Sequence, residues 1–347
     1  MSQSFASQKF NSIQALRGIA ALFVVFSHLT FIGIGAFGVD IFFCISGFIM
    51  MYVTQKGSKH FLAKRLIRIV PLYYLITVFT FVLLLVFPSM FMATTADISY
   101  LIKSFFFIPY EISGVIQPIV RVGWTINYEM FFYIIFFISM KISHKYRGLI
   151  CSVVLTLLAV LGTLLPLPSV FLQFYCHELL LEFVFGMISF YLAKRIFDAV
   201  GNKANKKTTG LVMILCFALV ITCFWLMISE KNDLVIPVFS RVIHLGIPAF
   251  ILFLAVFTLG CMIKIPAWLS FLGDISFSLY LLHYYPIMLI SRIAEKSPSA
   301  GLKVGLSIVG ILFVIGISAI SYYLIEKKLS EFLRKKFLSD KKVKDSK

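Results

Sequence analysis

The chain has 347 residues, 60% of them hydrophobic and 14% charged, with a mean hydropathy of +0.98. These values exclude a soluble globular domain of this length and point to a polytopic membrane protein. The net charge of +17 has no soluble basic domain to carry it, so it reads as a topology signal and a contact with anionic membrane lipids, with no nucleic-acid partner.

Apolar runs able to cross ~30 Å of hydrocarbon recur along the chain. They predict ten spans, at 13–32, 37–55, 70–88, 123–142, 148–166, 172–193, 209–228, 245–263, 271–291 and 303–325. With the N-terminus inside, 25 of the 32 Lys and Arg residues fall in cytoplasmic segments. The expected fold is therefore an all-α polytopic membrane protein of about ten transmembrane helices with both termini cytoplasmic. One transmembrane domain is expected over 1–326, followed by a basic cytoplasmic tail over 327–347.

The first span lacks a small-residue cleavage site and reads as a retained signal anchor. It carries Arg17 and His28, eleven residues apart, which places them on one helix face. Their axial separation is ~16.5 Å at the helical rise, so Arg17 lies near the cytoplasmic boundary and His28 in the outer half of the membrane. A positive-inside anchor is the plain reading of Arg17, and a helix-helix hydrogen bond that of His28.

Asp40 enters the second span at nearly the depth of His28, where a carboxylate would fix the imidazole tautomer. In AKRLIRIVPLYY, Arg65 and Arg68 share a face before Pro71, which is expected to begin the third helix. They suit phosphate binding, but a cytoplasmic span end demands such charges anyway. The segment 89–122 contains FFFIPYE, too apolar for a free loop, and predicts a re-entrant or interfacial element.

Glu129 lies in the outer half of the fourth span, and His177 and Glu178 lie about as deep in the sixth. With His28, Asp40 and His283 they make up an expected polar cluster, and separate buried pairs are the plainer alternative. The six cysteines fall singly within spans and read as reduced packing residues, and no metal site is expected. In the ninth span Ser276, Tyr280 and His283 recur at i, i+4 and i+7, a second polar stripe beginning near the cytoplasm. Two such stripes suit an elongated ligand with a charged cytoplasmic head and a reactive outer end, the shape of a phosphopantetheine thioester.

The motifs QALRGIAALFVVFSH, GVDIFFCISGF, KRLIRIVPLYY, GWTINYEMFFY and LGDISFSLYLLH, in that order, resemble the acyltransferase-3 family of bacterial integral-membrane O-acyltransferases. Within it the chain is similar to the exopolysaccharide, succinoglycan and O-antigen acetyltransferases. The resemblance implies the bacterial inner membrane, ten spans, an acyl-CoA such as acetyl-CoA as donor with no permanently bound cofactor, and a glycan or lipid-linked oligosaccharide hydroxyl as acceptor. It implies that Arg17 and His28 are required.

On this reading His28 is the general base or transient acyl carrier, with Asp40 or Glu129 orienting it. Arg17, Arg65 and Arg68 hold the donor phosphates, Ser276, Tyr280 and His283 line the donor path, and Trp124 borders the acceptor entrance. His177 and Glu178 match no family motif and are placed with the acceptor. The rival readings are a transporter or flippase of a lipid-linked saccharide with an intramembrane proton relay, and a non-catalytic export subunit.

Overall fold

The computed structural model describes residues 4–338 except 31, 58, 89–94, 113, 202–205, 230–238 and 298. The tail residues 339–347, and Lys231 among the cations counted as outer, lie outside the described residues. The described chain is almost wholly helical. In order come α1 (Asn11–Ser27), α2 (Gly38–Val53), α3 (Phe61–Val86), α4 (Ile98–Phe105), a hairpin of β1 (Glu111–Ile112) and β2 (Val115–Ile116), α5 (Trp124–Ile142) and α6 (Arg147–Leu164). There follow α7 (Val170–Tyr175), α8 (Leu180–Gly201), α9 (Lys206–Ser229), α10 (Ile247–Met262), α11 (Ala267–Asp274), α12 (Ser276–Leu282), α13 (Tyr284–Glu295), α14 (Ala300–Ser321) and α15 (Lys328–Leu338).

Among the described residues, six helical stretches are long and apolar enough to cross a membrane: Phe61–Val86, Arg121–Ile142, Arg147–Leu164, Thr209–Ser229, Val242–Met262 and Ala300–Leu338. α1 and α2 are apolar but only 17 and 16 residues long. The two other expected spans are broken. The 172–193 span divides at a turn in which His177 Nδ1 accepts from the Leu179 backbone N–H at 3.2 Å, a local side-chain bond that competes with the helix. The 271–291 span divides into α11, α12 and α13, and its second break lies at His283, where Pro286 cannot donate to the Leu282 carbonyl.

Pro71 does not begin the third helix; it lies ten residues inside α3. The carbonyl its missing N–H leaves free belongs to Ile67, and Ser330 Oγ of α15 donates to it at 3.3 Å. Because α3 starts at Phe61, Arg65 and Arg68 stand one to two turns inside a helix instead of ahead of it.

The core is aromatic, with Phe48, Phe132, Phe136, Phe183, Phe253 and Phe257 fully buried where α2, α5, α8 and α10 meet. Small residues let the helices approach, as hydrocarbon surroundings require. A Cβ added to Gly186 would lie 2.0 Å from the Cys44 carbonyl oxygen, and one on Gly47 would lie 2.2 Å from that of Phe183. Gly186→Ala is therefore expected to lose ~1–3 kcal/mol or more through forced separation of α2 and α8, seen as a lower melting temperature in detergent. Arg147 closes the C-terminal end of α2, donating to Thr54 Oγ1 at 2.8 Å and to the Met51 carbonyl at 3.3 Å.

The segment before α5 is neither free loop nor span. Asp97 caps α4 by accepting from the Ser99 N–H, and the hairpin pairs Glu111 with Ile116. Its backbone carbonyls are met by tyrosines from the helices: Tyr74 donates to Phe105 at 2.8 Å, Tyr175 to Phe107 at 2.7 Å and Tyr73 to Ser104 at 3.3 Å. An apolar segment with satisfied backbone can thus pack against the bundle, as FFFIPYE required.

Candidate active site

The N-terminal residues Phe5–Phe10 fold back against the end of α2. Phe5 is buried among Phe10, Tyr52, Phe190 and Phe197, and Tyr52 donates from its hydroxyl to the Gln8 carbonyl at 2.6 Å. Behind this segment lies a cavity of about 530 Å³. Its wall runs from Gln8 and Lys9 past Gln14 and Arg17 of α1, Ser46 of α2, Arg68 of α3 and Glu129 and Tyr133 of α5, and ends at Thr125, Ser276 and Tyr280.

Polar groups inside this cavity hold one another. Arg17 Nη1 donates to Gln14 Oε1 at 3.0 Å, and Ser46 Oγ and the Tyr133 hydroxyl both donate to Glu129 Oε1. Arg17 feels Arg68 as its like-charged neighbour and Glu326 and Glu129 as its opposite ones. Glu326 comes from a π-helical turn, Tyr322–Lys327, and accepts from Ser278 Oγ at 2.7 Å. Arg65 stands behind this group against Tyr133, with its Nε buried and unpartnered among the described residues. The Ser276 hydroxyl is likewise buried without a partner.

At the far end, the Tyr280 hydroxyl donates to the Val122 carbonyl at 2.8 Å and meets Thr125 Oγ1 at 2.8 Å, which closes the cavity. Just past that closure lie two imidazoles. His28 caps the C-terminus of α1 and is mostly covered; His283 is fully buried between α12 and α13. His283 Nδ1 lies 2.8 Å from the Tyr280 carbonyl, so it carries the proton and leaves Nε2 a bare acceptor. That Nε2 is 3.3 Å from His28 Nδ1, which also faces the Val24 carbonyl at 2.8 Å. Two acceptors on His28 Nδ1 assign the proton there and leave His28 Nε2 as the basic nitrogen.

The third group is Asp40, which accepts from Arg241 Nη2 at 2.8 Å and is fully buried. Glu182 lies beside the pair with both carboxyl oxygens unpartnered among the described residues, and Glu178 adds a further carboxyl near Arg241. His177 lies at the turn before α8, close enough to Arg241 and Asp40 to feel their charges. Trp124 opens α5 with its ring edge-on to Tyr128.

The expected cluster of six ionisable residues is thus three groups, and neither carboxylate is the partner of His28. Asp40 is engaged by Arg241, and Glu129 sits with the arginines. Glu129 lines the same cavity as Arg17 and Arg68 of α1 and α3, and Arg65 feels its charge. His283 takes the place beside His28 that Asp40 was expected to fill. Arg17, Arg68, Ser276 and Tyr280 do share one cavity.

Sequence reasoning missed Arg241 and Glu326. A signal existed for Arg241: an arginine just outside the outer end of the expected 245–263 span can reach an acid near that surface, and Asp40 is one. For Glu326 there was none, since a continuous α-helix from α14 gives no sign of the π-helical turn that re-aims it.

Among the described residues no three His, Cys, Asp or Glu side chains are placed to hold a metal ion. No solved structure matches the chain. The chain is 32% identical over 318 residues to the exopolysaccharide production protein ExoZ of Rhizobium meliloti (strain 1021), covering 85% of this chain and 90% of that protein. It is 26% identical over 290 residues to the putative acetyltransferase ORF330 of Acidianus two-tailed virus, covering 78% and 81%. The acyltransferase domain model matches residues 10–326, and with the length of the ExoZ match this establishes that the chain is a membrane protein of the acyltransferase-3 family.

Proposed function

We propose that this enzyme moves an acetyl or other short acyl group from acyl-CoA to a hydroxyl of a cell-surface or lipid-linked glycan. The glycan reading leans on the relative named for exopolysaccharide production. In this account the bundle crosses the bacterial inner membrane ten times, with α1, α2 and the two interrupted spans adding to the six long helical stretches, and with both termini in the cytoplasm. The cavity mouth at Lys9 then opens to cytoplasmic acyl-CoA.

The observation that carries the reading is a single cavity with cations at its mouth and middle and a histidine pair just past its closed end. Lys9, Arg17 and Arg68 offer the donor phosphates charge-assisted bonds, and Arg65 adds to the positive field from behind Tyr133. Glu129 and Glu326 hold the arginines in place between turnovers. His283 follows Tyr280 by three residues, or ~4.5 Å of helical rise, so a thioester that moves the Tyr280 ring from Thr125 arrives beside the imidazoles.

There His28 Nε2 takes the proton of the acceptor hydroxyl as that oxygen attacks the thioester carbon. His283 keeps the basic tautomer by accepting from His28 Nδ1, and spreads the imidazolium charge toward the Tyr280 carbonyl without a buried carboxylate. Arg68→Ala is expected to raise KM for acyl-CoA by about 10–100-fold, the loss of one charged hydrogen-bonding group, with kcat little changed. In cells, mass spectrometry of purified glycans from strains with and without this protein tests the whole reading: the expected difference is one acyl group per modified residue, and identical masses refute it.

A further inference from the structure

Beside His28, Tyr284 joins the imidazole to Arg121. Tyr284 follows His283 directly, yet both rings reach His28, because the helix break at His283 turns consecutive side chains onto one imidazole. The Tyr284 ring stands perpendicular to that of His28 with centroids 5.1 Å apart. Its hydroxyl oxygen accepts from Arg121 Nη1 at 2.9 Å, and the guanidinium lies 5.7 Å from the ring centre.

Hydrogen-bond accounting then leaves the Tyr284 proton free. The oxygen is occupied as an acceptor, and among the described residues nothing takes the O–H, although Tyr284 is only 8% exposed. Arg121 is exposed at the start of the turn before α5 and has no carboxylate within ion-pair distance among the described residues. A buried hydroxyl donor without an acceptor, backed by an unneutralised cation and touching the base, is an arrangement suited to a negative charge that exists only during reaction.

We infer that Tyr284, polarised by Arg121, donates a hydrogen bond to the thioester carbonyl oxygen as it becomes an oxyanion. The inference rests on the acyl-transfer reading above. The acceptor oxygen forms its bond to the carbonyl carbon while its proton passes to His28 Nε2. The electron pair of the C=O bond moves onto the carbonyl oxygen, where Tyr284 stabilises it. When that pair returns, the C–S bond breaks, the CoA sulfur leaves as thiolate and takes the proton back from His28. The products are an ester and a free thiol, with no other reactant needed.

The test uses the purified full-length protein in detergent with acetyl-CoA and polysaccharide extracted from a strain lacking this protein. Tyr284→Phe keeps the ring on His28 and removes only the donor. It is expected to lower kcat by ~10²–10³-fold with KM for both substrates unchanged and the same melting temperature. Arg121→Gln is expected to lower kcat by a smaller factor in the wild-type background and to have no further effect in Tyr284→Phe, because it acts through the same hydroxyl. A Tyr284→Phe enzyme with kcat within about twofold of wild type, or one that loses acceptor affinity at unchanged kcat, overturns the assignment. Wild-type protein that releases no thiol overturns the acyl-transfer reading itself, and with it this role.

Discussion

His28→Ala leaves a folded, membrane-resident protein whose kcat for acyl transfer is ~10²–10⁴-fold lower, the usual contribution of a positioned base. Folding survives because His28 is the cap residue after α1 and, among the described residues, its side chain has long-range polar and ring contacts to His283 and Tyr284 alone. KM for acyl-CoA stays the same, since the donor is held at the arginines. His283→Ala should follow with a smaller loss of kcat, because His28 keeps its bond to the Val24 carbonyl and with it much of its tautomer preference. Initial rates of thiol release, compared at equal amounts of protein recovered by size-exclusion chromatography, check both. If His28→Ala retains wild-type turnover, the base lies elsewhere.

The second large effect is on stability. Arg241→Met removes the only cation paired with a fully buried Asp40, in a site where Glu182 and Glu178 add further carboxyls among the described residues. Breaking a buried pair from one side costs ~3–5 kcal/mol, because the remaining charge has no solvent and no partner. Asp40→Asn combined with Arg241→Met is expected to recover part of that loss, since the Asp40 charge is removed together with its partner and only the Glu182 and Glu178 carboxyls remain. Thermal melting of the two single variants and the double variant in the same detergent measures the coupling. A double variant no more stable than Arg241→Met alone contradicts an electrostatic role for the pair.

These two predictions separate residues that one depth argument had joined. Depth along a span was legible in the sequence, and it placed His28, Asp40 and His283 far from Arg17. Helix rotation was not legible, because a uniformly apolar span such as α10 or α9 shows no face, and so the partners of each group could not be read. Of the 3.6-residue stripe Ser276, Tyr280, His283, the first two line one cavity and His283 lies beside His28 instead. The stripe ends at the helix break, where Pro286 interrupts the ladder.

The starting point of a helix was the other blind spot. Proline ahead of an apolar run reads as a helix beginning, yet Pro71 sits inside α3, and Ser330, 263 residues away, donates to the Ile67 carbonyl that the proline leaves free. With the helix begun at Phe61, Arg65 and Arg68 lie within α3, and Arg68 lines the cavity. Tyr284 and Arg121 were illegible for a related reason: consecutive residues point to different helix faces unless the helix is broken between them.

In the proposed reaction a donor cavity gated by Tyr280 delivers a thioester to His28 for transfer to a glycan hydroxyl. Its most direct test is the purified protein with acetyl-CoA and the unmodified polysaccharide, following free thiol and the mass of the polysaccharide in one reaction. The expected result is one acetyl group gained by the polysaccharide for each thiol released, abolished by His28→Ala. Thiol release without acetyl gain, or polysaccharide movement across proteoliposomes without thiol release, contradicts it.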